Sequence, residues 1–183
     1  MAEPETLPDL LAPGLALVFV GINPGERSAE LRHYYAHRGN GFWAALSSSP
    51  LVGRRLGPED DGSLPEAEGI GFTDVVKRVV TDSTQISDEE LRAAEPAFRA
   101  RIAAAAPRAV CLTSGRAFDV LFPGLRPAGS WGRQASTLEG ASLWVMPSTS
   151  GRAVGSRHHV HRVLAELACF LGRGASEGAA SGP

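Results

Sequence analysis

Short runs of apolar residues mark the positions where the chain is expected to form buried strands. They occupy Ala16–Val20, Ala109–Leu112 and Leu143–Met146. An uninterrupted apolar run of this length, with Gly, Pro or Ser close behind it, is typical of a strand that is covered on both faces. The pattern therefore predicts a sheet buried between two layers.

Elsewhere apolar residues recur at the three-to-four-residue spacing of amphipathic helices. This spacing predicts helices over Gly41–Ser47, Gly115–Leu121 and His159–Leu171. A longer helix is expected to begin at Ser87, which opens a Ser-x-x-Glu capping box, and to end before Pro107. Strand-like and helix-like segments thus alternate along the chain.

Such alternation predicts an α/β fold, a three-layer α/β/α sandwich with a central, largely parallel sheet. The 183 residues suffice for one domain with a core of its own. Residues 1–13 are Pro-rich and acidic, and we expect a flexible or loosely docked arm. The domain is predicted over residues 14–171, and the Gly/Ala/Ser-rich residues 172–183 are predicted to be a disordered tail.

Composition narrows the class of protein. The hydrophobic fraction is 43% and the mean hydropathy is -0.06, as in ordinary globular proteins. The apolar runs are too short to span a bilayer and no signal sequence opens the chain, so we expect an intracellular, cytoplasmic protein without a membrane partner. The only cysteines, Cys111 and Cys169, cannot build a four-cysteine zinc or iron–sulfur site.

Charge is informative only locally. The net charge of -2 gives no overall signal for nucleic acid. Between Gly140 and Ala165, however, there is no acidic residue, whereas three arginines and three histidines fall there. This segment is either a surface that contacts phosphates or a solvated helix start.

Three loops rich in Gly, Pro or Ser follow predicted strands or approach another element. They are "GINPG" (21–25), "GIGFTDVVKR" (69–78) and "PSTSG" (147–151). Ligands of open α/β sheets bind outside the carboxyl ends of the strands. The sequence therefore predicts one crevice where these loops meet.

Asn23 lies at the end of the first predicted strand. Asn, Pro and Gly are all turn residues, so one interpretation is a plain turn. The other is catalytic. A neutral amide is a poor base, but it can orient a water in a hydrolysis with a cationic, oxocarbenium-like transition state, where the water needs positioning more than deprotonation.

Four motifs in order carry a family resemblance. "GINPG" (21–25), "YYAHRGNGFW" (34–43), "GIGFTDVVKR" (69–78) and "MPSTSGRA" (146–153) resemble segments of the mismatch-specific uracil/thymine DNA glycosylases, a branch of the uracil-DNA glycosylase superfamily. The resemblance covers roughly residues 10 to 170. It implies the α/β/α fold of that superfamily and hydrolysis of the N-glycosidic bond of uracil, and of thymine or other damaged bases, in G·U-type mismatches, as the first step of base excision repair.

The resemblance also implies roles for individual residues. The base would be flipped out of the duplex before it reacts. Asn23 matches the asparagine that positions the water, and Tyr35 matches an aromatic that stacks on the base. The residues expected to bind the base are Gly21, Ile22, Pro24, Gly25, Tyr35 and Ser148.

Asp74 does not follow from family membership, because several relatives carry another side chain there. We predict that its carboxylate supplements Asn23, by accepting a proton from the water or by stabilising the sugar cation. The alternative is a helix N-cap after Thr73.

The segment that contains the fourth motif and the start of the last predicted helix is expected to bind DNA. Arg152 matches an arginine that fills the gap left by the flipped base; the alternative is a phosphate contact. In the bacterial form of the motif that "MPSTSGRA" resembles there is an asparagine, which Ser148 replaces in this chain. The residues predicted to contact DNA are Thr149, Ser150, Gly151, Arg152, Ala153, Ser156 and Arg157.

No metal and no organic cofactor is expected, and double-stranded DNA is the expected partner of a monomer. Lys77 is the only lysine, which argues against a glycosylase that also cleaves the strand through a Schiff base. Two rivals stay open: a glycosylase that prefers deaminated purines such as hypoxanthine, and a catalytically silent DNA-binding protein of the same fold.

Overall fold

The computed structural model of the protein describes residues 6–151 and 155–174. Its centre is a five-stranded sheet with the order β2-β1-β3-β5-β4. All neighbouring strands are parallel except β4 and β5, which form an antiparallel pair. The strands are β1 (Leu17–Gly21), β2 (Ile70–Asp74), β3 (Ala109–Leu112), β4 (Gly132–Leu138) and β5 (Ala141–Val145).

Six α-helices connect or follow these strands within the described residues. They are α1 (Glu26–Leu31), α2 (Phe42–Ser47), α3 (Leu64–Glu68), α4 (Asp88–Ala105), α5 (Gly115–Leu121) and α6 (Arg157–Phe170). Short 3-10 helices cover Pro58–Ser63 and Ser83–Gln85. None of the helices in this part of the chain is long and apolar enough to cross a membrane.

Alternate side chains of each strand enter two separate cores, one on each face of the sheet. Phe19 of β1 packs with Phe42 of α2 and Val163 of α6. Val18, its neighbour, packs on the opposite face with Phe98 of α4. Helices therefore cover both faces, and the predicted three-layer α/β/α architecture is confirmed.

The bounds of the elements follow the hydrophobic pattern closely. β3 and α5 occupy the predicted residues, and Ser87 accepts a hydrogen bond from the Glu90 N–H at the start of α4, as a capping serine does. The antiparallel edge strand β4 was missed because its sequence, GRQASTL, is largely polar.

Contacts with the domain extend beyond both of its predicted bounds, residues 14 and 171. The arm predicted over residues 1–13 is docked from residue 6 onward: Leu7 is 2% exposed, and Leu10 forms an antiparallel bridge with Phe72 of β2. At the other end, Arg173 donates to the main-chain oxygens of Leu51 and Glu68, so ordered structure continues past residue 171. Residues 1–5 and 175–183 lie outside the described part.

Candidate active site

One cavity of about 780 Å³ opens at the carboxyl ends of the parallel strands. It is lined by residues from all three loops that the sequence predicted to converge. Among them are Gly21, Asn23, Tyr35, Asp74, Ser148 and Gly151. Each strand ends here because the chain becomes polar or reaches a turn residue. The crevice therefore lies at the edge of the sheet where open α/β folds bind their ligands.

Hydrogen bonds hold the loop after β1 against the segment that follows β2. The N–H of Val76 donates to Ile22 O at 2.9 Å, and the N–H of Val80 donates to Pro24 O at 3.1 Å. Parallel pairing of β1 and β2 thus continues in part beyond the strands. It brings Asn23 to the cavity wall.

The amide of Asn23 has a fixed orientation. Its Nδ2 donates to the main-chain oxygens of Pro24 and Val80, both at 2.9 Å, and more weakly to that of Arg78 at 3.3 Å. Carbonyl oxygens only accept, so these contacts identify the nitrogen side of the amide. The other atom, Oδ1, is the acceptor with which this side chain can bind a water hydrogen.

Asp74 ends β2 and is a buried carboxyl group on the cavity wall. It is 4% exposed, and its Oδ2 atom is buried without a hydrogen-bond partner among the described residues. Burial, which disfavours the ionised form, raises the pKa of Asp74 to about 7. No helix follows Thr73 directly, so the alternative of an N-cap is wrong.

Gly21 pairs in register with Asp74 across β1 and β2. A Cβ atom on Gly21 would collide with Oδ1 of the Asp74 carboxyl group and would lie 3.8 Å from the Tyr35 hydroxyl oxygen. A glycine is required here because the carboxyl group occupies the space that a side chain would fill. Gly25 is instead the N-cap residue that precedes α1, and a Cβ there would meet nothing within 4 Å.

Tyr35 has a left-handed backbone conformation, with φ of 52°, which is uncommon for a bulky residue. The main chain of the preceding residue is held at both its N–H and its carbonyl group: the Tyr34 N–H donates to Asp61 Oδ2 at 2.8 Å, and Trp43 Nε1 donates to Tyr34 O at 2.9 Å. Asp61 is itself buried and also contacts His33 Nδ1 at 2.9 Å. These contacts hold the Tyr35 backbone at the cavity.

The Tyr35 ring stacks on Phe42, with centroids 4.0 Å apart and planes inclined by 19°. Its hydroxyl oxygen lies 3.2 Å from Thr113 Oγ1, which is also 3.1 Å from Val20 O. Burial raises the pKa of Tyr35 above its usual range, so the phenol stays protonated. Sequence reasoning missed Thr113, although its place directly after β3 was a usable signal.

The loop over residues 147–151 docks on the loop that precedes α2. Asn40 Oδ1 accepts from Thr149 Oγ1 at 2.8 Å and from the Phe42 N–H at 3.0 Å. A Cβ on Gly151 would lie 3.0 Å from Gly39 O, so the glycine allows this close approach. The site thus brings the second and fourth motifs together through Asn40, a residue that sequence reasoning did not single out.

The structure describes most, but not all, of the residues predicted to contact DNA. Ser148 and Ser150 are exposed at the cavity mouth, where Ser148 Oγ lies 3.1 Å from Ser150 Oγ. Ser156 precedes α6 and Arg157 is exposed at its first position. Arg152 and Ala153 lie outside the described residues. The role of the whole set in binding DNA stays a prediction.

Comparison with known proteins identifies the family and agrees with the fold. The family model described as the uracil DNA glycosylase superfamily matches residues 8–175, and the chain belongs to this superfamily. The fold is similar to the solution NMR structure of a candidate uracil DNA glycosylase from Methanosarcina acetivorans, at a TM-score of 0.59 and 21% identity. That match covers 90% of this chain and 98% of the other.

Membership of this superfamily supports a DNA glycosylase that acts on uracil, which is a hydrolase with DNA as its partner. Three further points are the branch of the superfamily, the base opposite the uracil and the residues that carry the reaction. They depend on the side chains around the cavity.

Proposed function

We propose that the protein is a monofunctional, mismatch-specific glycosylase that removes uracil opposite guanine, as do the mismatch-specific uracil/thymine DNA glycosylases that its motifs resemble. One observation carries the proposal: the amide of Asn23 and the carboxyl group of Asp74 line the same cavity, at the ends of the paired strands β1 and β2. The uracil, flipped out of the duplex, would enter this cavity.

Asn23 would position the attacking water. Its Nδ2 is tied to main-chain oxygens, so its Oδ1 has a defined direction and need not be ordered when the substrate binds. A water that donates to this oxygen would be presented to C1′ of the sugar as the base departs. Such preorganisation lowers the entropic cost of the reaction.

Asp74 would assist in its ionised form. With a pKa of about 7, roughly half of the enzyme carries the carboxylate at neutral pH. The carboxylate would accept a proton from the water or stabilise the positive charge that develops on the sugar. Neither this step nor the role of Asn23 uses a metal ion or an organic cofactor.

The leaving base would be held by the remaining walls of the site. The Tyr35 ring, supported by Phe42, is the proposed stacking surface, and main-chain N–H groups of Ile22 and Tyr35 would bind the uracil carbonyls. Such donors stabilise the negative charge that the departing base acquires. Gly21, Pro24, Gly25 and Ser148 would complete the wall around the base.

DNA would bind across the cavity mouth. The proposed contacts to phosphates come from Thr149 and Ser150 in the 147–151 loop and from Ser156 and Arg157 at the start of α6. From sequence alone, Arg152 with its neighbours Gly151 and Ala153 would enter the duplex where the base has left. The protein would work as an intracellular monomer.

The proposal is tested with duplexes that carry uracil, thymine or hypoxanthine opposite each normal base, with enzyme in excess. Uracil opposite guanine should be released fastest. Faster release of hypoxanthine would favour the rival with a preference for deaminated purines. No release at any enzyme excess, with binding to the duplex retained, would favour a silent DNA-binding protein.

A further inference from the structure

Asp9 lies at the centre of a cluster of charged side chains beside the end of β2. Its Oδ1 accepts from Lys77 Nζ at 2.8 Å and from Thr73 Oγ1 at 2.7 Å, and its Oδ2 lies 3.3 Å from Arg101 Nε. Arg101 also donates through Nη2 to the main-chain oxygen of Asp74 at 2.6 Å. Asp9 thus holds two cations, one from the turn after β2 and one from α4, next to the residue that ends β2.

The position of Asp9 is fixed by the residues on either side of it. The Leu10 N–H donates to Phe72 O at 2.9 Å, and the Phe72 N–H donates to Leu10 O at 3.0 Å. The Tyr34 hydroxyl donates to Pro8 O at 3.0 Å. The segment is therefore anchored both to β2 and to the loop that carries the aromatic residues of the cavity.

The groups that act on Asp74 come from four parts of the fold. Burial is the largest influence and raises its pKa; Lys77 and Arg101 lower it, and Asp9 raises it. Tyr34 and Tyr35 also lie close enough to interact with Asp74, but burial raises the pKa of both phenols, so they stay neutral. Besides burial, the charged groups that act on Asp74 are thus two cations and one carboxylate.

We propose that Asp9 is a positioning residue of the active site, and that the N-terminal segment over residues 6–10 supports that site from outside the cavity wall formed by Asp74. By pairing with Lys77 and Arg101, Asp9 keeps the two cations from holding Asp74 permanently ionised. This inference rests on the role proposed above for Asp74. It adds a residue that contacts neither the cavity nor the substrate but acts through its neighbours.

The test compares three full-length variants: Asp9→Asn, Lys77→Met and the double variant. The carboxyl carbon of Asp74 is followed by NMR as a function of pH, and its resonance is assigned from its loss in Asp74→Asn. Asp119→Asn is the matched control, because it also removes a carboxylate paired with an arginine, Arg126, but one that is not among the groups acting on Asp74.

We expect Asp9→Asn to lower the titration midpoint of Asp74 by about one pH unit and Lys77→Met to raise it by a similar amount. The double variant, in which one charge of each sign is removed, should titrate near the wild-type midpoint. A role that is only structural would not give opposite shifts that cancel. Unchanged midpoints in folded single variants, or shifts in one direction only, would overturn the inference.

The pH dependence of single-turnover uracil release separates this inference from the proposed function. If the rates follow the NMR midpoints, both stand. If the midpoints move as expected and the rates do not follow, the cluster acts as inferred and Asp74 is not the catalytic group. Thermal unfolding of each variant verifies that it is folded.

Discussion

Gly21 and Asp74 end neighbouring strands in register, and the carboxyl group of Asp74 fills the space that a side chain on Gly21 would occupy. The first motif therefore needs its glycine for a reason that a turn does not supply. The glycine lets an acid lie directly behind the strand end that leads to Asn23. The two groups proposed to act on the water are in this way placed by a single strand pair.

Replacing Gly21 with alanine should displace the Asp74 carboxyl group, because the new methyl group and Oδ1 cannot occupy the same space. A displacement of about 1 Å in an active site costs about 100-fold in rate, and we expect a loss of that order in single-turnover release of uracil. The matched control is Gly53→Ala, since a Cβ at Gly53 would meet nothing within 4 Å. Equal rates in the two variants would show that the close approach has no catalytic consequence.

The pKa of Asp74 predicts the pH dependence of the reaction. The proposed active form is the carboxylate, and the pKa of Asp74 is about 7, so the single-turnover rate should rise with pH below about 7 and become constant above it. Asp74→Asn should be slower at neutral pH and should lose this dependence. An unchanged pH profile in the variant would remove Asp74 from the chemistry.

Asp74 should also reduce stability at neutral pH. Its pKa is raised above the value of about 3.9 in an unfolded chain, so the folded state binds the extra proton between about pH 4 and pH 7. The contribution of Asp74 to stability therefore falls as pH rises through this window. Asp74→Asn, which cannot ionise, should raise the thermal midpoint at pH 8 by at least about 2 °C and should change it little at pH 4. A lower thermal midpoint of Asp74→Asn at pH 8 would contradict the conclusion that ionisation of the buried Asp74 carboxyl group destabilises the fold.

The sequence predicted those parts of the fold that depend on local pattern. β3, α5 and the Ser87 cap are set by apolar spacing and by one capping serine, and their bounds could be predicted. β4 could not, because an edge strand with a polar sequence depends on pairing with β5 rather than on its own residues. The partners of the segment around Asp9 could not be predicted for a similar reason, since its Pro-rich composition gives no sign of distant contacts.

The site, like the fold, has features that the sequence predicted and features that depend on tertiary contacts. Motif order placed Asn23, Tyr35 and Asp74 at one crevice, and the cavity includes all three. The sequence could not reveal that Asn23 Nδ2 bonds to Val80 O, or that Asn40 joins two loops more than 100 positions apart in the chain. Those contacts depend on the tertiary arrangement of residues that carry no pattern of their own.

The most direct test of the account is single-turnover release of uracil from a G·U duplex by Asn23→Ala, with binding of the same duplex measured alongside. Loss of the water-orienting oxygen should lower the rate by about 100-fold or more, because a misplaced nucleophile is costly. Duplex affinity should stay within about threefold of wild type, because the proposed contact of this side chain is with the water and not with the backbone of DNA. A variant that releases uracil at the wild-type rate would contradict the central claim that Asn23 positions the attacking water.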